Sequence, residues 1–152
     1  MTNPTAAAFG YPQTLVAETR HWLVLVRPKQ PTLGSLVLVC KEPVQAFPDL
    51  SPDAFSDLKA ATRGIEAMLS SAVAYERINY LMLMMVDRDV HFHVIARYDG
   101  ERSDAGLTFV DAGWPGPPDL KSCVDLDPEQ AARLAKRLGE LWRDVGGAAA
   151  RP

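Results

Sequence analysis

Cysteine is nearly absent: the 152 residues hold two, Cys40 inside an apolar run and Cys123 in a polar segment. That is too few for a disulfide framework or a four-cysteine zinc site, and it fits a reduced, cytoplasmic protein. Long apolar runs are missing as well. No stretch approaches the roughly 20 residues that span a bilayer, and the N-terminus "MTNPTAAAFGYPQ" has neither a basic start nor a continuous apolar core. Neither a membrane anchor nor an export signal is expected. Nor is there an excess of positive charge: sixteen Lys and Arg against nineteen Asp and Glu give a net charge of -3. The basic residues are scattered, which argues against nucleic acid as a partner. No internal repeat is visible. What the chain does have is apolar material, 47% of a length typical of one domain. We read a single domain over residues 14–145, with 1–13 and 146–152 ("GGAAARP") as loose ends rich in Ala, Gly or Pro.

Two β-rich runs, "HWLVLVRP" and "LGSLVLVCK", are separated by "KQPT", a spacing that suggests a first antiparallel hairpin. "LSPDAFSDLKAATRGIEAML" then opens with Ser51 as a helix cap and Pro52 in the first turn, and sets Phe55, Leu58, Ile65, Met68 and Leu69 at helical spacing. "RINYLMLMMV" and "VHFHVIARY" read as a second extended pair joined through Asp87, Arg88 and Asp89. A shorter strand is expected in "GLTFVDA", and the Pro- and Gly-rich "GWPGPPDL" is a loop or a surface crossing. A second helix begins at Asp127-Pro128, with Leu134, Leu138, Leu141, Trp142 and Val145 as its apolar stripe and Arg133, Lys136, Arg137 and Arg143 on its wet side. The order of elements implies an α+β domain, with two main helices packed on an antiparallel sheet of about five strands.

The chemistry concentrates in "DVHFHVIARY", residues 89–98, which hold two of the three histidines. On a strand, Asp89, His91, His93, Ile95 and Arg97 share one face while Val90, Phe92, Val94 and Ala96 share the other. The histidines therefore lie opposite the apolar set. Residues two apart on a strand are roughly 7 Å apart, a spacing that can hold a phosphate-sized anion between two imidazoles. A neutral imidazole is a nucleophile towards phosphorus, and a protonated one donates to phosphoryl oxygens or to a leaving group. Two readings compete with this one. The strand face can simply be polar and solvated, and Asp89, His91 and His93 are also a facial set of metal ligands.

"DVHFHVIARY" resembles the signature of the histidine triad (HIT) superfamily, in which histidine alternates with an apolar residue three times and two apolar residues follow. His91 falls on the second histidine and His93 on the third. The likeness extends to Arg97, where the family often has a Pro-Arg pair, and to "PTLGSLVLVCK", which looks like the family's upstream strand. The resemblance implies a five-stranded antiparallel sheet with two helices, a homodimer, and a nucleotide substrate attacked at its α-phosphate. It makes His91 the nucleophile that forms a nucleotidyl-histidine intermediate, with His93 steadying the phosphate and no cofactor needed. The chain departs from the pattern at three points: Asp89 stands at the first histidine, Ser35 and Pro43 stand where many members carry histidine, and "MMVDRD" replaces the Gly-Gln-Ser/Thr phosphate loop. Asp89 is expected to orient His91 or to serve the turn, and Asn79, Arg97 and Ser35 are expected near the substrate.

Other residues carry less. His21 reads as a strand-end surface residue, and Met82, Met84 and Met85 read as core filling. Trp114 sits in a loop pinned by prolines, with stacking on a base as the alternative. Arg133, Lys136 and Arg137 read as a solvated helix face. The function expected is a nucleotide hydrolase or nucleotidyl transferase acting on a dinucleoside polyphosphate or nucleoside phosphoramidate. The alternatives are a nucleotide-binding module with weak catalysis and a small metal enzyme built on Asp89, His91 and His93.

Overall fold

Strands that are apolar at consecutive positions must be covered on both faces, and this requirement organises the molecule. The computed structural model describes residues 3–146. In chain order the elements are α1 (Pro4–Ala8), β1 (Leu15–Glu18), β2 (Trp22–Val26), β3 (Lys29–Gln30), β4 (Leu36–Cys40), α2 (Pro52–Val73), β5 (Arg77–Leu81), β6 (His91–Arg97), β7 (Glu101–Asp104), β8 (Leu107–Val110), β9 (Val124–Asp125) and α3 (Pro128–Leu141). Five strands form one antiparallel sheet in the order β1-β2-β4-β6-β5. The short pairs β3-β9 and β7-β8 stand apart from it. This is the expected α+β class, and the expected hairpin is the β2-β4 pair.

Both long helices carry the local signals that start them. Ser51 Oγ accepts from the Ala54 amide at the head of α2, and at α3 Asp127 and Gln130 cap each other's backbone reciprocally. Their apolar sides cover one face of the sheet. Val24, Val26, Leu36, Leu38, Val94 and Ala96 pack there with Ile65, Met68 and Leu69 of α2 and Leu134 and Leu138 of α3. Trp142 lies across Gly64, where an added Cβ would overlap the indole ring. Val145, expected on the apolar stripe of α3, is exposed.

The other face is covered by the N-terminal segment, which corrects the expectation that residues 1–13 are loose. Asn3 caps α1, Thr5 and Ala6 are buried, and Ala6, Phe9, Tyr11 and Leu15 pack on Leu23, Leu25, Val37 and Val39. Covering four such side chains stabilises the fold by about 1.5–3 kcal/mol each, relative to leaving them in water. The loose C-terminal end expected from Gly146 falls, apart from Gly146 itself, outside the described residues.

The connection before β6 is longer than the expected three-residue turn. β5 ends at Leu81, and Met84 takes a left-handed backbone (φ 53°) that no strand sustains. The methionine run therefore divides. Met82 and Met84 pack partly on the core, while Leu83, Met85 and Val86 are exposed. No described helix is long and apolar enough to cross a membrane.

Candidate active site

β6 runs between β4 and β5, so its side chains meet neighbours on both sides. Val39 lies opposite His91, and Val37 and Leu81 lie opposite His93. The alternation expected on this strand holds: Val94 and Ala96 face the helices, and the histidines face the other way. That other face is not solvated. His91 is 2% exposed and His93 8%, because Phe9 lies against both, with ring centroids 6.1 and 5.7 Å away. The two imidazoles stand edge to face at 5.2 Å.

Each ring is held through Nδ1, and the two contacts are of opposite sense. His91 Nδ1 lies 2.7 Å from the backbone carbonyl of Asp89. A carbonyl only accepts, so Nδ1 carries the proton and the neutral ring keeps its lone pair on Nε2. His93 Nδ1 instead accepts from Nε of Arg27, at 3.4 Å. A guanidinium only donates, so the His93 lone pair is on Nδ1. Burial, the Arg27 charge and the neighbouring His91 push the His93 imidazole down to about 4, so it is neutral near pH 7. Arg27 itself is fixed by Nη1, which donates to the Lys29 carbonyl at 2.7 Å and lies 4.0 Å from Sγ of Cys123.

Asp89 touches His91 through its main chain, not its carboxylate. Oδ2 accepts from the amide and hydroxyl of Thr5, at 3.3 and 3.1 Å, and the Asp89 amide donates back to the Thr5 hydroxyl at 3.2 Å. The carboxylate thus ties the N-terminal helix to the strand. Its engagement with Thr5 also takes it out of the facial metal set, and among the described residues no three His, Cys, Asp or Glu side chains are placed to share an ion.

The three residues expected near the substrate are committed elsewhere. Arg97 makes a buried ion pair with Asp111 (2.7 Å) and donates to the Asn79 side chain (2.8 Å) and the Gly116 carbonyl (2.8 Å). Arg97 is four strand residues beyond His93, roughly 13 Å along the chain. It fastens the crossing loop to the sheet, and it occupies the Asn79 oxygen in doing so. The Ser35 hydroxyl donates to Thr32 within its turn (2.8 Å). His21 stands just before β2, its Nδ1 3.7 Å from the Glu42 carboxylate. Arg133 pairs with Glu129, and Arg137 with Asp104.

Arg27, Phe9 and Thr5 were not singled out by the sequence. Arg27 had a usable signal, since Leu23, Leu25 and Arg27 fall on one strand face and the β2-β4-β6 register makes it the histidine face. Phe9 and Thr5 had none, because their contacts with the histidines and Asp89 reach more than 80 residues along the sequence.

Comparison with known proteins turns on this architecture. No family model matches the chain, and no curated protein is similar to it. Solved structures are. A protein from Sinorhizobium meliloti described as a histidine triad protein superposes with a TM-score of 0.70 at 22% identity, covering 92% of this chain and 95% of its own. A histidine triad nucleotide-binding protein from Sulfolobus tokodaii gives 0.67 at 16% identity, covering 86% and 84%. The fold is that of the histidine triad proteins. Among its structural neighbours is the diadenosine triphosphate hydrolase of Plasmodium falciparum, with a TM-score of 0.63 at 12% identity over 88% of this chain and 78% of that one. The histidine triad likeness expected from "DVHFHVIARY" is thus met by the whole fold.

Proposed function

We propose that this chain is a divergent histidine triad protein that cleaves nucleotides at the α-phosphate through a nucleotidyl-histidine intermediate. The observation that carries the reading is the Nδ1–H of His91 bonded to the Asp89 carbonyl, which leaves a lone pair on Nε2 in the neutral ring. Nε2 attacks the α-phosphorus and forms a P–N bond. The bond to the leaving group breaks, and that group departs with the electron pair: a nucleoside oligophosphate as the anion, or an amine after taking up a proton. Water then attacks the same phosphorus. The P–N electrons return to Nε2, the water's proton is lost to solvent, and a nucleoside monophosphate is released. Dividing one displacement into two lowers each barrier, and the remaining task is positioning and charge stabilisation.

His93 is the second catalytic residue in this reading, beside the phosphoryl group. Asp89 supports the site through its carbonyl and through its hold on Thr5. Arg97, Asn79 and Ser35 support the sheet and its loops and do not touch substrate. We further propose a homodimer, supported by the free edge of β5 and the exposed Leu83, Met85 and Val86 next to it. The test of the function is incubation with diadenosine tetraphosphate and with adenosine phosphoramidate, followed by assay of AMP. Release of AMP is expected from at least one of them, with a loss of at least about a thousandfold in His91→Ala. Near wild-type release from that variant contradicts the reading.

A further inference from the structure

The replaced phosphate loop leaves a question about charge, because backbone amides of such a loop normally meet the developing negative charge of the phosphoryl group. The chain has "MMVDRD" there, and Asp89 adds a carboxylate where the resemblance expects an imidazole. A cation does stand at the site, but it comes from another strand. Arg27 directly follows β2, in phase with its histidine-side residues Leu23 and Leu25, and donates from Nε to Nδ1 of His93. Its own position is fixed by the Lys29 carbonyl, so the guanidinium has little freedom to leave.

We propose that Arg27 is the positioning residue of His93: by occupying Nδ1 it keeps the His93 proton on Nε2, making this imidazole a neutral hydrogen-bond donor towards a phosphoryl oxygen. The two histidines of one strand then carry opposite tautomers. The carbonyl of Asp89 makes His91 an electron-pair donor at Nε2, and Arg27 makes His93 a proton donor at the same ring atom. A nucleophile and a donor two residues apart are what an in-line displacement at phosphorus needs. The guanidinium also supplies fixed positive charge to a site whose ligand is an anion. Arginine suits the task better than lysine, since its planar donors hold one direction and it stays charged when partly desolvated.

The catalytic consequence rests on the proposed nucleotide chemistry, but the tautomer does not. The test is therefore nitrogen-15 NMR of the histidine side chains in the full-length protein, alongside turnover. In the wild type, His93 is expected as the Nε2–H tautomer with its pKa near the depressed value of about 4. Arg27→Met removes donor and charge: the single tautomer is expected to be lost and the pKa to climb towards the ordinary histidine value. Arg27→Lys keeps a charged donor on a stem of similar reach, so the low pKa and the Nε2–H tautomer are both expected to survive. Turnover of any nucleotide the wild type cleaves should fall about 10- to 100-fold in Arg27→Met, in kcat more than in KM, and less in Arg27→Lys. If Arg27→Met fails to fold, Arg27→Leu, which also lacks donor and charge, takes its place. Retention of the Nε2–H tautomer in Arg27→Met or Arg27→Leu overturns the proposal. A wild type that cleaves no nucleotide would remove the function while leaving the NMR result to decide the role of Arg27.

Discussion

Asp89 shows how a single residue can matter through its backbone. It stands where the resemblance expects a histidine, yet its carboxylate serves Thr5 while its carbonyl holds His91. Asp89→Ala keeps the carbonyl and removes the acceptor of two buried donors. Its stability in denaturant should fall by about 1–3 kcal/mol, with faster amide exchange at Thr5 and Ala6, while the ring-nitrogen shifts of His91 stay unchanged. Unaltered stability with moved His91 shifts would instead assign the carboxylate a direct orienting role. The histidines were legible in the sequence because strand alternation is a local rule. The partner of Asp89 was not, since it lies 84 residues away and nothing local marks Thr5.

Among the elements, those with a full period and a start signal could be read from sequence. α2 and α3 announce themselves by Ser51-Pro52 and Asp127-Pro128, and β2 and β4 by unbroken apolar runs. β1, β3, β7 and β9 have two to four residues each, too few to repeat a pattern, and α1 has five. The end of β5 was missed because apolar composition continues past Leu81 although the backbone does not. That strand is an edge of the five-stranded sheet, its Arg77 exposed and its other residues half-buried. An edge with apolar side chains beside it invites pairing. Sedimentation at micromolar concentration should therefore report twice the mass of the chain, and Met85→Glu, which puts a charge into the exposed apolar patch beside that edge, should shift the protein towards monomer. A wild type that sediments as a monomer contradicts this.

For the molecule as a whole, covering both faces of one sheet has placed an ionisable ring in an apolar setting, and this couples stability to pH. His93 is pushed down to about 4 in the folded protein, whereas the unfolded chain binds that proton near the ordinary value of about 6.5. Between those two values the unfolded state holds more protons, so stability is full above about 6.5 and is lost as pH falls towards 4. Its share is on the order of 1–2 kcal/mol after allowance for solvent at the site. Denaturant unfolding across that window should show a shallower decline in His93→Gln than in the wild type; equal slopes would trace the pH dependence to other groups. The same buried strand carries the central claim, a covalent bond between Nε2 of His91 and the α-phosphorus. The most direct measurement is to mix the protein with adenosine phosphoramidate or diadenosine tetraphosphate, quench in denaturant at alkaline pH where the P–N bond survives, and map the modified peptide by mass spectrometry. The account predicts an adenylyl adduct on His91 that is absent from His91→Ala. An adduct on any other residue, or undiminished AMP release by His91→Ala, would contradict it.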